Sequence, residues 1–254
     1  NPVSHTLSPR MQNAAFEAMG LEICYVPLEV AAIDLEDAIH GLKAMRFLGA
    51  NITIPHKIQA ARLVERLEGA AAVTGTVNTI VNDSGSLVGH NTDGTGFIRS
   101  LEEVASINLA AEAALLIGAG GAARSIAVAL AEEGISQLAI INRTRAHAEE
   151  IKSLVLANFP DLSVMVRTPE EDNEELLMGS KLVINATSAG LEGNLKMPPV
   201  AVDRLTKDHV VCDIVYTQSR ETPFLVAARG KGANILGGRG MLLPTWHPVT
   251  WSHP

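Results

Sequence analysis

A chain of 254 residues, 47% apolar and 19% charged, has the make-up of a globular protein with one large or two smaller domains. Charges interrupt every apolar run short of the roughly 18 residues a membrane span needs, and 28 acids against 20 bases, with no basic cluster, argue against a nucleic-acid footprint. The opening Asn1-Pro2-Val3-Ser4-His5 lacks the basic-then-apolar order of a secretory leader, so a cytoplasmic protein with buried, reduced thiols at Cys24 and Cys212 is expected. The histidines show no metal-binding spacing, and no metal is assigned.

In chain order, Ser8 reads as the N-cap of a helix over 9–19, with Pro9 at its first position and Gly20 at its end. A β-rich run follows at 23–28. Leu35, Ile39, Leu42 and Met45 recur at helical spacing over 35–48, and Gly49 stops that helix. A strand over 51–54 ends at Pro55, and another helix is expected over 56–67. The alternation predicts an α/β domain with a parallel or mostly parallel sheet. The domain junction is placed just after Asp93-Gly94, where a connecting helix begins. Beyond it, a buried strand at 113–117 meets a glycine-rich turn, then a helix to about 133, a stop at Gly134 and a strand over 138–141. Further strands are expected at 181–185 and 210–215.

The turn Gly118-Ala119-Gly120-Gly121-Ala122-Ala123 follows a strand and opens a helix, the setting of a dinucleotide-binding loop. Glycines there let backbone amides approach a pyrophosphate, and the helix adds its positive N-terminal end. At the end of the next strand an NAD site carries an acid for the ribose 2′-hydroxyl. This chain has Asn142, Arg143, Thr144 and Arg145 instead. Guanidinium groups suit a 2′-phosphate, which a carboxylate would repel, so the turn favours NADP(H); by itself it also reads as an exposed basic turn. Asn185-Ala186-Thr187-Ser188 follows another strand and falls on the carboxyl edge of the sheet, where ligands of open α/β sheets bind.

In the first half, polar groups gather at element ends in Ser4-His5-Thr6-Leu7-Ser8-Pro9, Asn51-Ile52-Thr53-Ile54-Pro55-His56-Lys57, Thr76-Val77-Asn78-Thr79 and Asn91-Thr92-Asp93-Gly94. Structural readings exist for each: Ser8 and Asp93 as caps, Lys57 as a solvated lysine. A lysine at a helix start opposes the helix dipole, however, which points to a role other than stability.

These segments, in this order, resemble the shikimate dehydrogenase family over almost the whole chain. The matching motifs are Asn1-Pro2, Ser4-His5-x-x-Ser8-Pro9, Asn51-x-Thr53-x-Pro55-x-Lys57, Val77-Asn78-Thr79, Asn91-Thr92-Asp93-Gly94, the glycine turn, Asn142-Arg143-Thr144, Asn185-Ala186-Thr187-Ser188 and Thr222-Pro223-Phe224-Leu225. The resemblance implies two α/β domains flanking a cleft: a substrate domain over 1–93, a Rossmann-type NADP domain over 94–235, and a segment over 236–254 that returns toward the substrate domain. It implies reversible reduction of 3-dehydroshikimate to shikimate by NADPH, with Lys57 and Asp93 as the catalytic pair. Thr6, Ser8, Asn51, Thr53, Asn78 and Tyr216 would surround the substrate. Gly118, Ala119, Gly120, Gly121, Ala122, Asn142, Arg143, Thr144, Arg145, Thr187, Ser188, Ile214 and Gly238 would hold NADP(H). The partner implied is the small-molecule substrate alone, with no nucleic acid or membrane, in a monomer or homodimer.

The chain also departs from the family pattern. Thr6 replaces a serine, which raises shikimate/quinate dehydrogenase activity with relaxed substrate choice as an alternative. His147 replaces a second arginine, with Arg145 as the candidate to compensate. Gly237 replaces a common aspartate and Arg239 an apolar residue. A strand that leads into Asn1-Pro2 in the family is not in this sequence, and Thr245 stands where a substrate glutamine is expected. Pro244 and Pro248 would break a terminal helix, and Trp251-Ser252-His253-Pro254 matches the start of an affinity tag. This end raises a catalytically impaired NADP-binding homologue as a second alternative.

Overall fold

The computed structural model describes residues 6–242 apart from 106, 192, 193, 195 and 217–220, so the expectations for Asn1 to His5 and for Pro244, Thr245, Pro248 and the final Trp-Ser-His-Pro lie outside the described residues. Helix α1 (Ser8–Ala18) has Leu7, not Ser8, at its cap. Ser8 is instead the first helical residue, and its hydroxyl accepts from Thr6 Oγ1 at 3.1 Å. The run at 23–28 is not a strand. Asn13 of α1 takes the place of a ladder partner, accepting from the Tyr25 N–H at 2.7 Å and donating to the Tyr25 carbonyl at 2.9 Å. A single side chain can satisfy one residue's backbone but cannot propagate a ladder. Cys24 is consequently exposed, contrary to expectation, while Cys212 is buried.

Helix α2 (Leu35–Ala44) buries the expected stripe of Leu35, Ile39 and Leu42. It ends early because Arg46 turns into the left-handed region at φ 57°, and Asn82 draws the carbonyls of Phe47 and Leu48 toward the sheet at 2.8 Å each. Strand β1 (Gly49–Asn51) therefore starts before the predicted 51–54. The predicted helix over 56–67 splits into α3 (Lys57–Ala60) and β2 (Arg66–Leu67), because Glu65 exchanges two hydrogen bonds with Leu87 and steers the following residues into the sheet. Helix α4 (Ala70–Thr74) precedes a hairpin of β3 (Thr79–Asp83) and β4 (Ser86–His90). Ser84 and Gly85 both have positive φ, the requirement of a two-residue hairpin turn that matches strand twist. The sheet order is β1-β3-β4-β2. Two of its three pairings are antiparallel, which corrects the expected mostly parallel sheet; only β2 and β4 run parallel.

Helix α5 (Asp93–Val104) leads into the second half, where the reading was closer: β5 (Ala113–Ile117), α6 (Gly121–Glu132), β6 (Gln137–Ile141), α7 (Arg145–Asn158), β7 (Ser163–Arg167), α8 (Glu174–Gly179), β8 (Leu182–Asn185), β9 (Val210–Asp213), α9 (Pro223–Gly230), β10 (Asn234–Gly237) and α10 (Gly238–Leu242). All strands pair in parallel in the order β10-β9-β8-β5-β6-β7. The order reverses between β5 and β8, as in a doubly wound dinucleotide-binding sheet. Alternate residues face opposite layers: Leu116, Ile140 and Ile184 pack with Phe97 and Leu101 of α5 and Ile126 of α6, while Leu115, Ile117 and Val183 pack with Phe224 of α9.

Helices α5 and α6 meet through glycine. A Cβ at Gly94 would stand 2.8 Å from both Ala129 Cβ and the Ser125 carbonyl, so α5 lies against α6 at a distance only hydrogen permits. Asp93, one residue before this crossing, is thereby placed beside the glycine turn. Among the described residues no helix is long and apolar enough to cross a membrane.

Candidate functional site

Lys57 opens α3 and Asp93 opens α5, and Lys57 Nζ donates to Asp93 Oδ2 at 2.5 Å. The side chains are only 13% and 8% exposed. Burying two charges is costly, and further hydrogen bonds around Asp93 offset part of that cost. Asn78 Nδ2 donates to Asp93 Oδ1 at 2.9 Å, and the Asp93 N–H donates to Asn91 Oδ1 at 3.0 Å. Asn91 is fixed in turn by donating to Thr76 Oγ1 at 2.7 Å and to its carbonyl at 3.1 Å. The Val77 N–H donates to the Lys57 carbonyl at 2.9 Å. One sheet-end segment, 76–79, therefore anchors both members of the pair. The result is a fixed ammonium beside a carboxylate, an arrangement able to stabilise a developing alkoxide and to deliver a proton to it.

The glycine turn reaches this pair directly. A Cβ at Gly121 would stand 3.1 Å from Lys57 Cβ, so the lysine stem runs across the first residue of α6. Gly118, at φ 109°, lies so near the end of β8 that a Cβ would come within 2.8 Å of the Ala186 carbonyl, while Gly120 faces open space. Ala119 packs on the core and Ala122 is half-buried. These open amides and close backbones make a cradle that side chains would fill, so the residues present fit a dinucleotide pyrophosphate.

Around the cradle, Asn142 Nδ2 donates to the Thr144 carbonyl at 2.8 Å and shapes the turn before α7. Arg143 is exposed and makes no ion pair with a described residue. Arg145, expected to compensate for His147, is already engaged with Glu171 at 2.6 Å and Glu149 at 3.7 Å. Thr187 turns its hydroxyl inward to Asn185 Oδ1 at 2.7 Å, and Ser188 is exposed. Gly238 crosses the Ile214 carbonyl so closely that any Cβ would collide with it.

The expected substrate residues form two groups. Asn51 Nδ2 donates to Thr79 Oγ1 at 3.1 Å, and Thr79 donates to Asn78 Oδ1 at 3.0 Å, which ties Asn51 to the Lys57 pair; Thr53 is exposed on the loop between β1 and α3. Thr6 and Ser8 are joined at the start of α1, with Tyr25 hydrogen-bonded to Ser8 and Tyr216 close by. Tyr25 was not anticipated. Burial pushes its phenol up to about 12, Tyr216 adds to the rise, and the Ser8 hydrogen bond opposes it. A depression of about 580 Å³ lies on the flank of α6 and α7 beside Arg124 and Glu150 and shares no residue with the Lys57–Asp93 centre.

Asp213, also not anticipated, ends β9 with 1% exposure. It accepts from Thr222 Oγ1 at 2.5 Å, Asn185 Nδ2 at 2.9 Å and the Val215 N–H at 3.1 Å. Burial nevertheless pushes its carboxyl up to about 6, outweighing those hydrogen bonds. It knots the motifs at Asn185 and Thr222 to the segment carrying Ile214 and Tyr216. No spacing rule pairs these positions, because the contacts run across neighbouring parallel strands.

Comparisons with known proteins meet this geometry at both sheets. Residues 1–80 match a family model described as the shikimate dehydrogenase substrate binding domain, and residues 100–196 match one described as shikimate / quinate 5-dehydrogenase. A Lysinibacillus sphaericus protein named shikimate dehydrogenase (NADP(+)) is 42% identical, over 96% of this chain and 86% of its own. The structure of a shikimate 5-dehydrogenase from Listeria monocytogenes in complex with shikimate and NAD is 34% identical with a TM-score of 0.84, covering 96% of this chain and 86% of that one. Another, from Thermus thermophilus in complex with NADP(H) and shikimate, is 31% identical with a TM-score of 0.82, covering 96% and 87%.

Proposed function

Because the chain belongs to the shikimate dehydrogenase family, we propose that its cleft carries out the NADP-dependent, reversible reduction of 3-dehydroshikimate to shikimate. The observation that carries this reading is the contact between Gly121 and the Lys57 stem, which sets a proton-handling pair against the mouth of a dinucleotide cradle. NADPH, when bound, supplies the hydride. Lys57 donates the proton to the reacting oxygen and stabilises its charge as ketone becomes alkoxide. Asp93 holds the ammonium in line, and Asn78 holds Asp93. Gly118 to Ala122, Thr187, Ser188, Ile214 and Gly238 form the cradle, and the turn 142–145 takes the adenosine end, where the exposed Arg143 favours a 2′-phosphate.

The substrate contacts are Thr6, Ser8, Asn51, Thr53, Asn78 and Tyr216, hydroxyls and amides matched to a polyol carboxylate, with Tyr25 added by its bond to Ser8. In this reading residues 1–93 form the substrate unit and 94–235 the cofactor unit. The stretch from 236 returns toward the substrate unit, and α10 packs on α5. The setting is cytoplasmic, with the chain acting as monomer or homodimer on a small molecule alone.

Steady-state kinetics with shikimate and quinate, each with NADP⁺ and NAD⁺, test the reading. Shikimate with NADP⁺ is the expected best pair. Comparable rates on quinate would replace it with the relaxed-specificity enzyme. NADP⁺ binding without turnover of either substrate would replace it with the impaired homologue.

A further inference from the structure

Arg145 is the first residue of α7, a helix of 14 residues with no acid in its first turn. A cation there opposes the helix dipole and needs a counter-ion. The counter-ion comes from a distant loop. Glu171, on the loop after β7, receives Arg145 Nη2 at 2.6 Å, and Arg145 Nη1 donates to the Val166 carbonyl at 3.3 Å. Glu171 is not a loose surface acid. The Thr168 N–H donates to its Oε2 at 2.6 Å, and Arg167 Nε lies 3.9 Å from its other oxygen. The Thr168 hydrogen bond, followed by Arg145, holds its carboxyl below the usual glutamate range. Glu149 adds a second carboxylate 3.7 Å from Arg145. Arg143, two residues earlier, has no such partner among the described residues. The strands bring these groups together, since Ile141 of β6 pairs with Arg167 of β7.

We propose that Glu171 sets the strength of NADP selection in this chain by holding Arg145 in an ion pair, leaving Arg143 as the cation that meets the 2′-phosphate. The inference rests on the NADP reading above and adds a residue to it. A carboxylate beside an adenosine-phosphate subsite acts twice. It neutralises the nearer guanidinium, and it repels a dianion that would compete for that guanidinium. Arg145 and Glu171 are 46% and 36% exposed, so water and salt screen the effect and a modest size is expected.

Binding of adenosine 2′,5′-bisphosphate and of 5′-AMP to the full chain, measured calorimetrically, separates phosphate recognition from turnover. Glu171→Gln is expected to tighten the bisphosphate by roughly three- to tenfold and to leave 5′-AMP within about twofold, an effect of surface-charge size. The gain disappears in Glu171→Gln/Arg145→Ala. Arg145→Ala alone is expected to weaken the bisphosphate by a comparable factor, roughly three- to tenfold, because it leaves the Glu171 carboxylate uncompensated. An unchanged or weaker bisphosphate affinity in Glu171→Gln, or a gain that persists in Glu171→Gln/Arg145→Ala, overturns the inference while the NADP reading stands. If the unaltered chain shows no preference for the bisphosphate over 5′-AMP, both fall.

Discussion

The Lys57–Asp93 centre and the Arg143–Arg145 edge both place cations at or near helix starts, yet they treat them in opposite ways. Lys57 is buried against a carboxylate whose other oxygen and backbone are also bonded. Arg145 shares its charge with two half-exposed acids, and Arg143 stands in solvent. Breaking a buried pair leaves an uncompensated charge and costs about 3–5 kcal/mol, whereas an exposed pair is worth about 0–1 kcal/mol. Burial suits a centre whose geometry must not vary. Exposure suits a contact that tunes which cofactor enters.

The largest effect should appear at the buried pair. Lys57→Ala and Asp93→Ala are each expected to lower turnover by about 10²–10⁴, the range of general acid–base groups, and the double variant should lose far less than the product of the two. Losses that multiply would mean the residues act separately and would dissolve the contrast with the arginine edge.

Asp213 separates burial from pairing, because it is as buried as Asp93 but is held by an amide, a hydroxyl and a backbone N–H. Its carboxyl is raised to about 6, so between its ordinary range and that value the folded protein binds more protons than the unfolded chain. This group therefore makes stability fall as pH rises through that window. Denaturant unfolding of Asp213→Asn beside the parent should show the difference shifting toward the variant by up to about 3 kcal/mol between about pH 4 and pH 7. A difference that does not change with pH would show that the hydrogen bonds already compensate the buried charge.

The smallest effect belongs to the exposed edge. Arg143→Ala should weaken NADP⁺ by about tenfold, the scale of one charge-assisted contact, and leave NAD⁺ within about twofold. Equal loss for both cofactors would remove the 2′-phosphate from this turn.

What the sequence made legible follows the same division between local and distant causes. The unit β5–α6–β6 matched its expected bounds to within a residue or so, because an unbroken apolar strand, a glycine turn and Gly134 are local signals. The small sheet depends on distant contacts. Residues 66–67 become a strand only because β4 lies beside them, and 23–28 are not in a strand, where among the described residues the Asn13 side chain takes the Tyr25 backbone. In the site, resemblance singled out Lys57 and Asp93, but nothing local shows that residues 36 apart share a hydrogen bond. Glu171 and Asp213 were invisible for the same reason: each has a partner 26 or more residues away, Arg145 on α7 and Asn185 on β8.

The decisive measurement is shikimate-dependent NADP⁺ reduction by Lys57→Ala with NADP⁺ affinity determined on the same sample. The cleft described above requires turnover to fall by about 10²–10⁴ while the dissociation constant stays within about twofold, since Lys57 handles the proton and only brushes the cradle at Gly121. Near-normal turnover, or a loss of cofactor binding that accounts for the whole decline, would contradict it.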